Sequence, residues 1–190
     1  MHLGLDISTS CTGICLMDAS GKLLRMAFID LKKEKNFWNK ADIVKSQVLD
    51  FLTQKEIEKI SAVYVEENLQ VFRRGLSSAK TLMTLAKFNG IICYVMREIF
   101  CIDPISINVN EARKSVGLKV ISQKKGGKPT KEQVIDWVTI DLNTSQESNF
   151  IWPTKILKSG PRVGMKIILP ECADMADAYV IARAATVLYS

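Results

Sequence analysis

The chain has 190 residues, 47% of them hydrophobic and 24% charged, and carries a formal net charge of +6. This length and composition suit one globular domain with a sizeable core and exclude a disordered or fibrous protein. No apolar run reaches the roughly 18 residues of a membrane span. A strand-like run starts at His2, so no signal or transit peptide is expected. The expectation is therefore a single domain over 1–190 in the cytoplasm (host cytoplasm if the source is a virus), with no membrane partner.

In chain order, "HLGLDIS" and "TGICLMDASGKLLRMAFID" predict three strands joined by tight turns, the second turn being Asp18-Ala19-Ser20-Gly21. A helix follows over Asn39–Lys55, with Ile43, Val48, Leu49 and Leu52 on one side. "ISAVYVEE" is a short apolar strand of the buried central type. Leu76–Phe100 predicts a long helix with apolar residues on nearly every side, so more than one face is buried. "DPISINV" predicts a strand, Asn110–Val116 a short helix, and 117–129 a Gly/Lys-rich loop. Thr130 caps a helix over Lys131–Leu142, and "FIWPTKILKSGPRVGMKIIL" reads as a hairpin turning at Ser159-Gly160-Pro161. A last helix begins at Cys172. Three antiparallel strands, then alternating helices and strands, then a terminal helix make an α/β fold with a mixed sheet.

The positive charge is concentrated. Between Arg113 and Lys131 lie seven basic residues (Arg113, Lys114, Lys119, Lys124, Lys125, Lys128, Lys131) and no acidic one. Such a segment points to a polyanion, nucleic acid first, although a solvated lysine loop would look the same. The five cysteines are odd in number and include no C-x-x-C, which predicts reduced, mostly buried thiols. His2 is the only histidine. Histidine-based zinc sites and Ser–His or Cys–His nucleophile pairs are thereby nearly excluded.

What remains is carboxylate chemistry. Asp6 lies inside the first strand, Glu66 and Glu67 close the strand "AVYVEE", and Asp174 and Asp177 extend the apolar stripe of the last helix (Ile181, Ala184, Ala185, Leu188) towards its N-terminus. An acid in a buried strand is costly unless it is paired or ligates metal. Acids beginning a helix also suit its N-terminal dipole. Taken together, Asp6, Glu66, Asp174 and Asp177 form a hard-oxygen set for Mg²⁺ or Mn²⁺ rather than zinc. Two such ions about 4 Å apart activate a water and stabilise the leaving oxygen of a phosphodiester.

The set "LGLDISTSCTGICLMD", "AVYVEENLQVF", "ARKSVGLK", "TKEQVIDWV" and "CADMADAYVIARA" resembles, in this order, the RuvC family of Holliday-junction resolvases. The resemblance runs from residue 2 to about 188. It implies a ribonuclease H-like fold with a mixed five-stranded sheet flanked by helices, a homodimer, and Mg²⁺-dependent resolution of four-way DNA junctions by paired nicks. By position it implies that Asp6, Glu66, Asp174 and Asp177 are the catalytic, metal-binding acids, with Lys131 beside them and either Arg113 or Lys114 as a further family lysine. Glu67 stands where the family usually has a neutral residue.

Two departures stand out. The segment between Lys131 and Asp174 is longer than in the bacterial enzymes and holds the hairpin at 149–169, read as an added DNA- or partner-contacting element or a structural ornament. After Glu66, Leu69 and Phe72 stand where the family has one stacking aromatic; Phe72 is the candidate wedge, with Arg73 and Arg74 on phosphates and a plain core phenylalanine as the alternative. The basic residues from Arg113 to Lys128 complete the expected DNA surface. The leftover apolar residues of the long helix, Met83, Phe88, Ile91 and Val95, are the expected dimer contact. Alternative readings are a branched-DNA or flap nuclease of the same fold, a non-catalytic DNA-structure binder, and an actin-like or sugar-kinase-type ATP-binding domain. The presence of all four acids argues against the binder. The chain is about half the length of those ATPases and lacks their later Gly-rich motif.

Overall fold

A computed structural model describes residues 1–67, 79–144 and 150–189. Its centre is a five-stranded mixed sheet in the order β3-β2-β1-β4-β5, built from β1 (His2–Ile7), β2 (Cys11–Met17), β3 (Leu23–Asp30), β4 (Ala62–Glu66) and β5 (Ile105–Ile107). The first three strands are antiparallel neighbours, and β4 and β5 run parallel to β1. The hairpin turn after β2 closes on Asp18, whose carboxylate accepts from the Ser20 and Lys22 amides, and Gly21 takes a φ of 82° there.

Alternation along the strands sorts side chains into two cores. Leu3, Leu5 and Ile7 of β1, with Ile14, Leu16, Val63 and Val65, pack under α1 (Phe37–Phe51) and α3 (Ala79–Phe100). On the other face Cys15, Met17, Tyr64 and Ile107 pack under α4 (Val109–Ser115), α5 (Thr130–Thr144) and α6 (Cys172–Leu188). The residues of β1 that alternate with the leucines, namely His2, Gly4 and Asp6, therefore face α6. His2 is a core residue: its Nε2 lies 3.1 Å from the Ala182 carbonyl oxygen and its ring meets Tyr64 edge-on.

Helix α6 approaches the sheet more closely than any side chain at two positions would permit. A Cβ on Gly13 would lie 1.9 Å from the Asp174 carbonyl oxygen, and one on Gly4 would lie 2.5 Å from that of Ala178. Both contacts are with backbone, so no rotamer change relieves them. The alanines of α6 complete the fit, with Ala176, Ala178, Ala182 and Ala184 wholly buried.

The predicted helix over 39–55 is two helices. Thr53 forms a capping box with Glu56 and starts the short α2 (Gln54–Ile57), so the first helix stops before it. Leu49, predicted to be buried, is 40% exposed, and the inner face runs through Ala41, Val44 and Val48. Phe88, expected on an intermolecular face, is wholly buried against Phe37. The apolar residues left outside on α3 are Met83 and Tyr94, with Ile91 and Val95 half-buried. Cys11, Cys15 and Cys172 are buried thiols as predicted, whereas Cys93 is half-buried and Cys101 exposed. The hairpin exists as β6 (Thr154–Ile156) and β7 (Lys166–Ile168), which form a separate two-stranded sheet. Among the described residues no helix is long and apolar enough to cross a membrane.

Gly13→Ala is expected to cost at least about 3 kcal/mol, the upper end of ordinary overpacking, because backbone rather than side chain must yield. For a chain of this size that is a fall in melting temperature of roughly 6–12 °C. An unchanged melting curve would show that α6 does not depend on this contact.

Candidate active site

The strand period and the glycine contact bring the acids to one place. Asp6 pairs with Gly13 across the β1–β2 ladder, and it is Gly13 that the Asp174 backbone rests on. Leu5 pairs with Val65 in the parallel ladder, so Glu66 follows beside Asp6 on the same face. Asp177 lies one helical turn beyond Asp174. Asp6, Glu66, Asp174 and Asp177 accordingly line one cleft of about 480 Å³, together with Glu67, Arg113, Lys131, Lys32 and Glu171.

Among the described residues, two of the cations lining this cleft pair with the converging acids. Arg113 Nη2 donates to Asp177 Oδ1 at 3.2 Å, and Lys131 Nζ lies 3.3 Å from Asp174 Oδ1. The Arg113 pair is largely enclosed, whereas the Lys131 side chain is 65% exposed and only its tip leans on the acid. Among the described residues the buried Arg113 Nε has no hydrogen-bond partner, so its guanidinium has a donor not engaged by Asp177. Lys131 is set by α5, which Asp141 ties to α6: Tyr179 Oη donates to Asp141 Oδ2 at 2.6 Å, and Arg183 Nε lies 3.4 Å from the same oxygen. The C-terminal end of β4 is supported by the buried Asn89, whose amide donates to the Glu66 carbonyl.

Crowding of like charges out of water shows in the proton affinities. Burial, then Glu66, Asp177 and Asp174, raises Asp6 well above the usual carboxylate range. Burial, then Asp177, pushes Glu66 up to about 7 despite the opposing charge of Arg113. Asp177 is raised by burial against the opposing pull of Arg113. Burial and the neighbouring Asp174 push the Cys11 thiol up.

The donor set is all carboxylate oxygen, which fits a hard divalent cation and not zinc. Among the described residues no three acidic, histidine or cysteine side chains form a ready-made metal cluster. In this arrangement Lys131 and Arg113 meet the charge of Asp174 and Asp177 instead.

The other expected residues lie outside the cleft. Lys114 and Lys119 line a neighbouring cavity of about 300 Å³ that Arg113 also borders, so of the two candidates it is Arg113 that reaches the acids. Lys124 and Lys125 are exposed on a single 3₁₀ turn. Lys128 is exposed and pairs with Asp136 at 2.7 Å. Leu69, Phe72, Arg73 and Arg74 fall outside the described residues. The sequence reading did not single out Lys32 and Glu171, which form an ion pair on the cleft wall. Glu171, three residues before Asp174, was within reach of the same acidic spacing; Lys32, in a run of lysines, carried no signal.

Two solved structures align over 99% of this chain and 94% of theirs: T. thermophilus RuvC in complex with a Holliday junction substrate, with 16% identity and a TM-score of 0.62, and Thermus thermophilus RuvC, with 18% identity and a TM-score of 0.58. The chain has the RuvC fold. No family model and no curated protein matches the sequence.

The raised carboxyls make a stability prediction. Glu66 binds its proton more tightly folded than unfolded, so its contribution is fully present below about pH 4.5 and is lost as pH rises through about 7. For the charged form the cost is on the order of 3 kcal/mol. In chelator at pH 8, Glu66→Gln is expected to melt several degrees above the parent, and at pH 4.5 the gain should vanish. A pH-independent difference would mean that the amide acts through packing rather than through charge.

Proposed function

We propose that the chain is a Mg²⁺-dependent endonuclease that resolves four-way DNA junctions by paired, symmetric nicks, working as a homodimer. The observation that carries this reading is the convergence of Asp6, Glu66, Asp174 and Asp177 in one cleft with Arg113 and Lys131 beside them. The likeness to RuvC, captured elsewhere with a Holliday junction substrate, supports the choice of DNA. The four acids would hold two divalent ions, Mg²⁺ or Mn²⁺, which supply the charge that activates water and stabilises the leaving oxygen of a phosphodiester.

The chain's own residues do the rest. Asp6, raised by burial and by its acidic neighbours, and Glu66, pushed up to about 7, would be the residues whose carboxylates the cations' charge stabilises. Lys131, exposed along its length, steadies charge developing on the phosphate. Arg113 holds the orientation of Asp177 and offers its second donor, Nε, to the same region. Lys114, Lys119, Lys124, Lys125 and Lys128, with Phe72, Arg73 and Arg74, provide the DNA surface. The dimer uses α3 and its outward Met83 and Tyr94, next to an apolar groove of about 490 Å³ lined by Phe37, Trp38 and Ile91.

Cleavage should be assayed on four-way, three-way, flap and linear DNA, with and without Mg²⁺. Asp6→Asn and Asp174→Asn are each expected to lower nicking at least about a hundredfold while junction binding persists, the scale of losing one preorganised electrostatic contact. Near-parental cutting by Asp6→Asn would overturn the site. Preference for flaps over four-way junctions would keep the chemistry and change the substrate.

Sedimentation at micromolar concentration should give twice the 21.3 kDa chain mass. Met83→Lys with Tyr94→Glu is expected to shift this towards monomer. A parent that stays monomeric on junction DNA would remove paired nicking and leave a single-site nuclease.

A further inference from the structure

The β6–β7 hairpin has no part in the chemistry above. From Phe150 to Pro170 the chain carries four basic residues, Lys155, Lys158, Arg162 and Lys166, and no acidic one. All four are exposed. Between them Ile156, Val163 and Met165 are 63%, 62% and 52% exposed. The register sets Ile156 opposite Lys166 and Thr154 opposite Ile168, so these four side chains share one face. Among the described residues that face is exposed, and its mixture of apolar and cationic groups is unlike an ordinary solvated loop.

The base of the hairpin is fixed at the cleft. Trp152 Nε1 donates to Thr139 Oγ1 of α5 at 2.9 Å, and the Leu169 amide donates to the Pro153 carbonyl at 2.9 Å. Pro170 and Glu171, which follow directly, line the cleft wall, three residues before Asp174. Beyond the strands, hydrogen bonds between Leu157 and Met165 and between Gly164 and Leu157 continue the pairing towards the tip. At about 3.3 Å per residue, Pro153 to Ser159 spans roughly 20 Å.

We propose that this hairpin is a DNA-contacting ribbon that grips the duplex arm leaving the carboxylate cleft. The proposal rests on the reading that the cleft receives DNA. Lys155, Lys158, Arg162 and Lys166 neutralise phosphates, and the Ile156–Lys166 face lies against the groove wall. A two-stranded ribbon fits the major groove of B-DNA, about 12 Å wide. Duplex DNA, with one negative charge per about 1.7 Å of axis, is the polyanion that suits four cations carried on one hairpin with no acid among them. A second copy of the same hairpin would set like charges against each other.

The test replaces Lys155, Lys158, Arg162 and Lys166 with alanine in the full chain. Binding to a four-way junction is followed by fluorescence anisotropy between 50 and 200 mM salt, with hydroxyl-radical footprinting of the arms. Each lost phosphate contact removes about 0.9 from the log–log salt slope. The expected result is a slope lower by roughly 2–4 and a shortened footprint on the arm beside the cut. An unchanged slope and footprint, with a parent that binds and nicks, would overturn the ribbon alone. A parent that neither binds nor nicks branched DNA would overturn the cleft reading and the ribbon with it. Should circular dichroism show the fourfold variant unfolded, Lys158→Ala and Arg162→Ala at the tip decide, each expected to lower the slope by about 0.9.

Discussion

The contact between α6 and the glycines of β1 and β2 is the constraint on which this molecule depends. With no Cβ at Gly4 or Gly13, the backbone of α6 lies directly on the sheet, and the carbonyls of Asp174 and Ala178 occupy the space a side chain would fill. The consequence is positional. Asp174 is delivered next to the ladder partner of Gly13, which is Asp6. The parallel pairing of β1 with β4 then adds Glu66 from the other side. Three elements far apart in sequence thus meet because two positions have no side chain and one strand register is obeyed. Helix α6 has little freedom to respond, since eleven of its residues are buried. A core this tightly packed transmits a one-atom change to its neighbours.

That arrangement works against stability. Burial and mutual repulsion raise Asp6, Glu66 and Asp177, and among the described residues Arg113 and Lys131 are the counterions that pair with Asp177 and Asp174. Buried acids that serve packing alone are normally satisfied by hydrogen bonds or replaced by apolar residues. Groups held away from their ordinary proton affinity in a cleft mark functional sites more often than structural ones. The lone histidine, by contrast, is used as a core hydrogen-bonding group beside α6 and lies outside the cleft.

Much of this was legible in the sequence because it rests on periodicity. Asp6 alternates with Leu3, Leu5 and Ile7 along β1, and Asp177 sits on the stripe that continues through Ile181 and Ala184, so their inward direction could be read before any coordinates. What was not legible depends on contacts between segments. Thr53 ends α1 through a capping box with Glu56, which a count of apolar positions does not register. Phe88 looked like surplus apolar surface on α3 until Phe37, fifty-one residues earlier, was seen against it. The choice between Arg113 and Lys114 turns on the rotation of α4 over α6, and adjacent residues give no hint of it. The same reasoning explains how the fold is shared with RuvC at 16% and 18% identity. Few positions are tightly constrained, and most core sites need only apolar volume.

The separation of charge across the molecule follows from the same physics. A cleft lined by Asp6, Glu66, Glu67, Glu171, Asp174 and Asp177, against Lys32, Arg113 and Lys131, is net negative and repels a polyanion. If the substrate is the DNA proposed above, the attraction for it comes from outside the cleft. The chain's surplus positive charge lies in two such places, the loop that feeds α5 and the hairpin that feeds α6. Helix α5 joins them, with Lys131 at its start leaning on Asp174 and Thr139 two turns on holding Trp152 at the hairpin base. Each basic segment is thus covalently continuous with a helix that starts beside the acids. On the function proposed, phosphates held on either segment would be kept in register with the carboxylates, and neither segment would have to bury a charge to do so.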